Sequence, residues 1–333
     1  MIFLTLLCML LLILVAAEVF TNALEHLGEK LGISEGVTGS IFAAVGTALP
    51  ETLVPLLALL AGTANVSVNE EIGVGAILGA PLMLSTLSTS LLAFAVLKSR
   101  GVQGEFHPER SGFLRDLNFF LVAFGFATLA MFIPHHLGAV RAAFGFIMVL
   151  IYFVYIMLTL RASKDLVESG HGTEADEAML LCRIGLPNNL PVILLQLALG
   201  LALLVAGTKG FILGVEAASV ALGISALLLS LLIIPIATEL PEKINSILWV
   251  RKRKDTLAFG NITGAMVFQG TLLPAIGIML TPWEPRREVL AGVVITLLAT
   301  SWIRWMAGRG HLKVWHVWIN GALYVTYLAI VLA

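Results

Sequence analysis

Charge is scarce in this sequence. Asp, Glu, Lys and Arg make up 12% of its 333 residues, about half the share of an ordinary soluble domain, so a soluble globular class is set aside. The net charge is -1 and no basic stripe with interleaved aromatics occurs, which speaks against nucleic acid as a partner. Cysteine is nearly absent: Cys8 and Cys182 lie far apart in different kinds of segment, and neither a disulfide nor a cysteine metal site is indicated. None of the seven histidines lies mid-stretch beside the acids singled out below. The metal set or nucleophile that an intramembrane enzyme would need is therefore missing, and no cofactor is expected. No Lys or Arg precedes the opening run MIFLTLLCMLLLILVAAEVF. It lacks the basic start of a signal peptide and reads as a first membrane helix.

What is abundant is apolar. Hydrophobic residues make up 59% of the chain and the mean hydropathy is +0.97, the composition of a membrane protein whose first partner is the lipid bilayer. A spanning helix needs about 20 apolar residues. Ten stretches approach that length: 2–25, 35–62, 71–97, 114–133, 137–161, 188–217, 224–250, 256–280, 287–307 and 312–332. The expected fold is an all-α polytopic membrane protein with five spans before and five after one polar linker. On this reading 1–162 is a first repeat, 163–187 a cytoplasmic linker carrying Lys164, Asp165, Glu168, Glu174, Asp176 and Glu177, and 188–333 a second repeat.

Basic residues set the expected orientation, because cytoplasmic loops collect Lys and Arg. Lys30, Lys98, Arg100, Arg110, Arg115, Arg161, Lys164, Arg183, Arg251, Lys252, Arg253, Lys254, Arg304, Arg309 and Lys313 fall on one set of alternate loops, against Arg141, Arg286 and Arg287 on the other. Fifteen against three places both termini outside the cytoplasm, in a cell membrane. Five is odd, so the second half enters the bilayer from the opposite side and the repeats are inverted.

The halves also match in sequence. A shift of 191 aligns Phe20 with Phe211, Glu25 with Glu216, Leu31-Gly32-Ile33-Ser34 with Leu222-Gly223-Ile224-Ser225, and Thr47, Leu49, Pro50 and Glu51 with Thr238, Leu240, Pro241 and Glu242. A shift of 185 aligns Gly75, Gly79 and Ala80 with Gly260, Gly264 and Ala265. Inverted repeats with broken helices are the architecture of secondary transporters, and spans 2, 3, 7 and 8 are expected to be broken. Pro50 frees the carbonyl of Gly46 and Pro241 that of Ala237. Glu51 lies about 16 residues into span 2, near the bilayer centre at about 1.5 Å per residue; Glu242 is placed similarly in span 7. An ionisable group there is a functional residue by default. Carboxylates, hydroxyls and freed carbonyls are hard oxygen ligands suited to calcium or magnesium and usable by sodium or manganese.

The runs GTALPE (46–51) and ATELPE (237–242), each followed by a glycine-spaced helix, GAILGAP (75–81) and GNITGAM (260–266), resemble the two α-repeats of the cation/calcium antiporter superfamily, which includes the sodium/calcium exchangers. The resemblance implies Glu51 and Glu242 as central cation ligands and Thr47 and Thr238 as their neighbours in the shell. It also marks departures. Ala48 replaces a usual serine, Glu239 is an added acid, and Ala80, Pro81, Leu84, Ala265, Met266 and Gln269 stand where the family offers Ser, Asn or Asp; Asn261 and Gln269 are the remaining polar candidates in span 8. Three-sodium coupling is thereby weakened, and calcium exchange for protons needs fewer ligands. A transport-deficient sensor or scaffold is the alternative.

Glu51, Glu239 and Glu242 against Lys243 leave a net of -2, which one divalent cation or two protons would neutralise. Lys243 follows Glu239 by four residues, the spacing of a helical ion pair; it either pairs with Glu239 or competes with the transported ion. Glu70 and Glu71, Lys209 and Glu216, His135 and His136, and the run 251–254 are read as loop acids, a snorkelling pair, helix-end histidines and a lipid-facing anchor.

Overall fold

The computed structural model describes residues 2–30, 49–62, 64–167 and 178–333; the side chains of 28, 29, 49, 50, 61, 160, 162–167, 237 and 240–242 lie outside that description. The helices are α1 (Ile2–Lys30), α2 (Leu49–Ala61), α3 (Val66–Arg100), α4 (Arg110–Ala130), α5 (Gly138–Val167), α6 (Leu180–Arg183), α7 (Leu190–Leu222), α8 (Ala226–Thr238), α9 (Leu240–Arg251), α10 (Asp255–Leu280), α11 (Arg287–Gly308) and α12 (Val314–Leu332). Two short strands, β1 (Glu105–Phe106) and β2 (Leu312–Lys313), pair antiparallel. Among the described residues eight helices are long and apolar enough to cross a bilayer, and α2 and α8 contain shorter apolar stretches. Span 2 is described only from residue 49 onward, and span 7 is the pair α8 and α9.

Helix ends follow local chemistry. Asn189 caps α7 by accepting from Val192 N at 3.1 Å, and Gly223 closes it in the left-handed region at φ 67°, where glycine carries no Cβ penalty. Ser225 caps α8 by accepting from Leu228 N at 3.1 Å. Glu109 caps α4 by accepting from Ser111 N and Gly112 N. No glycine or proline interrupts 162–167, so α5 runs past the apolar limit to Val167, and α6 forms inside the expected linker.

Two of the four expected breaks are corrected. Span 8 is one uninterrupted helix of 26 residues that absorbs Pro274, with Thr271 donating back to Val267 O at 2.6 Å. Span 3 is likewise wound throughout, passing through a π turn at Leu84–Ser88 just after Pro81. Ser85 and Thr86 both donate to Leu82 O, and Thr89 donates to Ser85 O at 2.9 Å. The carbonyls that lose their donor are those of Ile77 and Gly270, and these hydroxyl bonds fall on other carbonyls; packing against neighbouring helices lets the winding continue where proline alone predicts a break. Span 7 is broken, as expected.

The chain packs as two units, Met1–Asn69 with Leu160–Gly223, and Glu70–Thr159 with Ile224–Ala333. Each unit takes helices from both sequence halves. In the first, α1 lies along α7. A Cβ added at Gly200 would sit 2.9 Å from the Phe20 backbone, and one at Gly214 would sit 2.7 Å from Leu6; small residues let membrane helices approach this closely. Gln196, fully buried, donates to Val19 O and Asn22 Oδ1 and accepts from Leu181 N, which ties α6 to this pair.

The second unit holds the main apolar core, including Phe113, Phe120, Phe124, Phe259 and Trp283. Gly75 and Gly79 let α3 meet α8: an added Cβ would lie 2.6 Å from Ser230 Cβ and 2.5 Å from Leu231 O respectively. Polar locks sit at the helix ends. Arg100 makes a two-point ion pair with Asp255 at 2.7 Å on each oxygen and also donates to Val250 O. Arg141 donates to Ile278, Thr281 and Pro282 carbonyls, satisfying the end of α10.

Candidate cation site

Span 7 breaks because α8 already carries Pro235 internally and Pro241 lies ahead. Proline has no amide to donate, and it is tolerated only in the first turn of a helix. The chain therefore ends α8 at Thr238 and restarts α9 at Leu240, with Glu239 (φ -87°, ψ 5°) as the single residue at the joint. Backbone bonds carry across it: Glu239 N donates to Pro235 O at 3.2 Å and Lys243 N to Glu239 O at 3.1 Å. The restart turns the N-terminal end of α9 toward the joint.

Glu239 is fully buried there. Gln269 of α10, 2% exposed, donates its side-chain amide to Glu239 Oε1. Gln269 Oε1 has no hydrogen-bond partner among the described residues. A carboxylate and a carboxamide oxygen thus meet in a buried setting, both hard donors. Thr238 is buried beside them, its hydroxyl donating to Ile234 O at 3.2 Å, which leaves the oxygen's lone pairs for a further partner. The backbone of Ala237 belongs to the last turn of α8.

Lys243 stands on the next turn, also buried. Its Nζ donates to Pro235 O at 3.1 Å and lies 2.7 Å from Met83 Sδ. Asn261 donates to Ser246 Oγ on α9 at 3.0 Å. In the other unit Glu51 is buried, with 5% of its surface exposed, in the first turn of α2. Gly46 and Thr47 lie outside the described residues, as does the side chain of Glu242, whose backbone belongs to the first turn of α9. The structure therefore brings together Glu239 and Gln269, with Thr238 preceding Glu239 at the end of α8 and Lys243 a turn beyond. Among the described residues no three His, Cys, Asp or Glu side chains converge as a metal cluster, so the oxygens on offer in this unit are of mixed kind.

Glu70 and Glu71, read as loop acids, lie within α3. Glu71 accepts from Arg286 at 2.5 Å and from Leu227 N at 3.3 Å, and its hydrogen bond holds the Arg286 guanidinium above its usual range. His135, His136, Lys209 and residues 251–254 are exposed. One cluster escaped the reading of the sequence. Asp116 on α4 accepts from Thr263 Oγ1 at 2.8 Å and Tyr155 OH at 3.1 Å. An acid inside the apolar stretch 114–133 was the available signal.

The family model for the sodium/calcium exchanger protein matches residues 1–161 and 192–333. The chain belongs to the sodium/calcium exchanger family. This exchanger-family chain is 26% identical over 276 residues to CaxA of Alkalimonas amylolytica, covering 82% of this chain and 79% of CaxA. It is 24% identical over 275 residues to the inner membrane protein YrbG of Escherichia coli (strain K12), covering 83% and 78%. Its fold is similar to the crystal structure of the H+/Ca2+ exchanger CAX, with a TM-score of 0.72 at 18% identity over 100% of this chain and 82% of that one. Family and helices together make it a multi-pass integral membrane protein of a transporter family, which sets the enzyme reading aside.

Proposed function

We propose that the chain is a secondary active antiporter that exchanges calcium or another divalent cation for protons or sodium, with Glu51 and Glu242 as the repeat carboxylates that take the cation. The observation that carries this reading is the joint of span 7: a buried carboxylate at a helix break, bonded by the amide nitrogen of a carboxamide whose oxygen is open to a hard cation. Protons are favoured over sodium because Ala80, Pro81, Ala265 and Met266 offer no side-chain oxygens where the family places them. The resemblance to a proton/calcium exchanger agrees with that choice. A buried carboxylate has its charged form disfavoured by desolvation and can titrate near neutral pH. Ten spans with inverted repeats, both termini outside the cytoplasm, and residence in the cell or inner membrane complete the reading, supported by the Lys and Arg bias and by YrbG.

The same missing oxygens favour one second reading, a transport-deficient sensor or scaffold. Calcium uptake into proteoliposomes containing the full chain separates the two. The antiporter takes up calcium when a pH gradient is imposed. A sensor binds calcium and moves none under either a proton or a sodium gradient.

A further inference from the structure

Asp116 stands six residues into α4, about 9 Å along its axis, and is 6% exposed. A carboxyl group inside a spanning helix is costly and marks proton or ion pathways. None of the cation ligands proposed above touches it. Its two oxygens are held from two other helices: Thr263 Oγ1 of α10 donates to one at 2.8 Å, and Tyr155 OH of α5 donates to the other at 3.1 Å. Thr263 also donates to Phe259 O at 3.1 Å and lines a small cavity with Ser85, Thr89, Thr300 and Asn320. That cavity is small, about 10 Å³, and the surface it exposes is apolar, the hydroxyls of Ser85, Thr89 and Thr300 being turned onto backbone carbonyls. Asn320 is fully buried, and its Oδ1 has no hydrogen-bond partner among the described residues.

The electrostatic surroundings are sparse. Arg115 Nε on α4 itself stands 3.8 Å away, and Glu109 acts from the loop before α4. Tyr155 is the group of α5 bonded to Asp116, with Tyr152 a turn before it on the same helix. On α10 the group facing Asp116 is neutral, Thr263. On α11 the cation near this face, Arg304, is engaged with Asn118.

We propose that Asp116 is a proton-binding residue of the transport cycle. It takes up a proton and releases it through the hydroxyl groups that hold it, those of Thr263 and Tyr155. When ionised it accepts from Thr263 and so braces α10, the helix whose Gln269 reaches Glu239 two turns further on; when protonated it must share that role as donor and acceptor. Protonation of Asp116 and the position of α10 are thereby linked. This inference rests on the antiport reading, and its test distinguishes the two.

The full chain is reconstituted and cation flux is measured across a pH series. Asp116→Asn removes one titrating step from the profile, and Asp116→Glu keeps that step with a displaced midpoint. Tyr155→Phe and Thr263→Val each delete a hydrogen bond to the ionised form, so protonation becomes easier and the midpoint moves to higher pH by about one unit. A uniform loss of rate with unchanged profile shape in all four variants means Asp116 is only structural and overturns the proposal. Infrared difference spectra of the wild-type chain between high and low pH give a readout free of flux. The carbonyl band of a newly protonated carboxyl is expected, and it is absent in Asp116→Asn. If wild type carries neither proton-driven nor sodium-driven flux, the antiport reading fails. The spectrum still decides Asp116: an identical band in wild type and Asp116→Asn overturns its titration.

Discussion

Gln269 donates its side-chain amide to Glu239, so the one acid that the second repeat adds to the exchanger pattern is held in place by a helix 30 residues further along the chain. The pairing turns an anomaly of the sequence into a defined joint. If this carboxamide orients the carboxylate and offers its own oxygen to the cation, Gln269→Leu weakens calcium binding at least about tenfold, the equivalent of one lost hydrogen bond to a charged group. Gln269→Asn restores little because its reach is shorter. Isothermal titration of the purified protein checks both, and unchanged affinity in Gln269→Leu removes Gln269 from the shell.

Lys243 is the cation nearest the joint in sequence, anchored on Pro235 O and Met83 Sδ. A fixed positive charge near the acids opposes any transported cation by several kcal/mol before screening, of which only a part survives. Lys243→Met is expected to tighten cation binding at pH 8. If Glu239 takes up a proton once the lysine is gone, the gain disappears at pH 6 and the mutant shows the steeper pH dependence. Loss of binding at both pH values in a folded mutant would show that Lys243 organises the carboxylates.

Gly79 is bound to its place by distance, since a methyl group there would stand 2.5 Å from Leu231 O, a backbone atom. Overpacking of this kind costs about 1–3 kcal/mol. Gly79→Ala should lower the melting temperature in detergent, while Gly260→Ala, where nothing lies within 4 Å, should leave it unchanged. Equal effects at both positions would contradict the packing asymmetry.

Arg100 and Asp255 are both buried, 7% and 5% exposed. Removing one partner strands the other's charge, at a cost of about 3–5 kcal/mol. Asp255→Ala is expected to be poorly expressed or strongly destabilised. Replacing Arg100 and Asp255 together by apolar residues of similar volume should recover much of the loss, as read by thermal melts of the single and double variants.

The sequence was most legible where it repeated itself. Proline-glutamate runs marked the break in span 7, and the glycines at 75 and 79 marked a close approach that the structure supplies with Ser230, Leu227 and Leu231. It misled where proline was taken as a break by itself. Around Pro81 and Pro274 the helix persists because neighbouring helices pack against it, and that support comes from tertiary contacts no spacing rule reveals. The Asp116 cluster was hidden for another reason: its partners lie 39 and 147 residues away, and only folding brings them together. The Gln269 bond to Glu239 was half legible, since both residues were candidates and their contact was not.

Glu51 and Glu242 are the centre of the account, and one measurement tests them directly. The wild-type chain, Glu51→Gln and Glu242→Gln are reconstituted at matched protein content, and calcium uptake is followed after a pH gradient is imposed. Gln keeps the size and removes the charge, so both mutants are expected to fold with wild-type melting behaviour and to lose uptake to the level of empty vesicles. Wild-type uptake in either mutant contradicts the account.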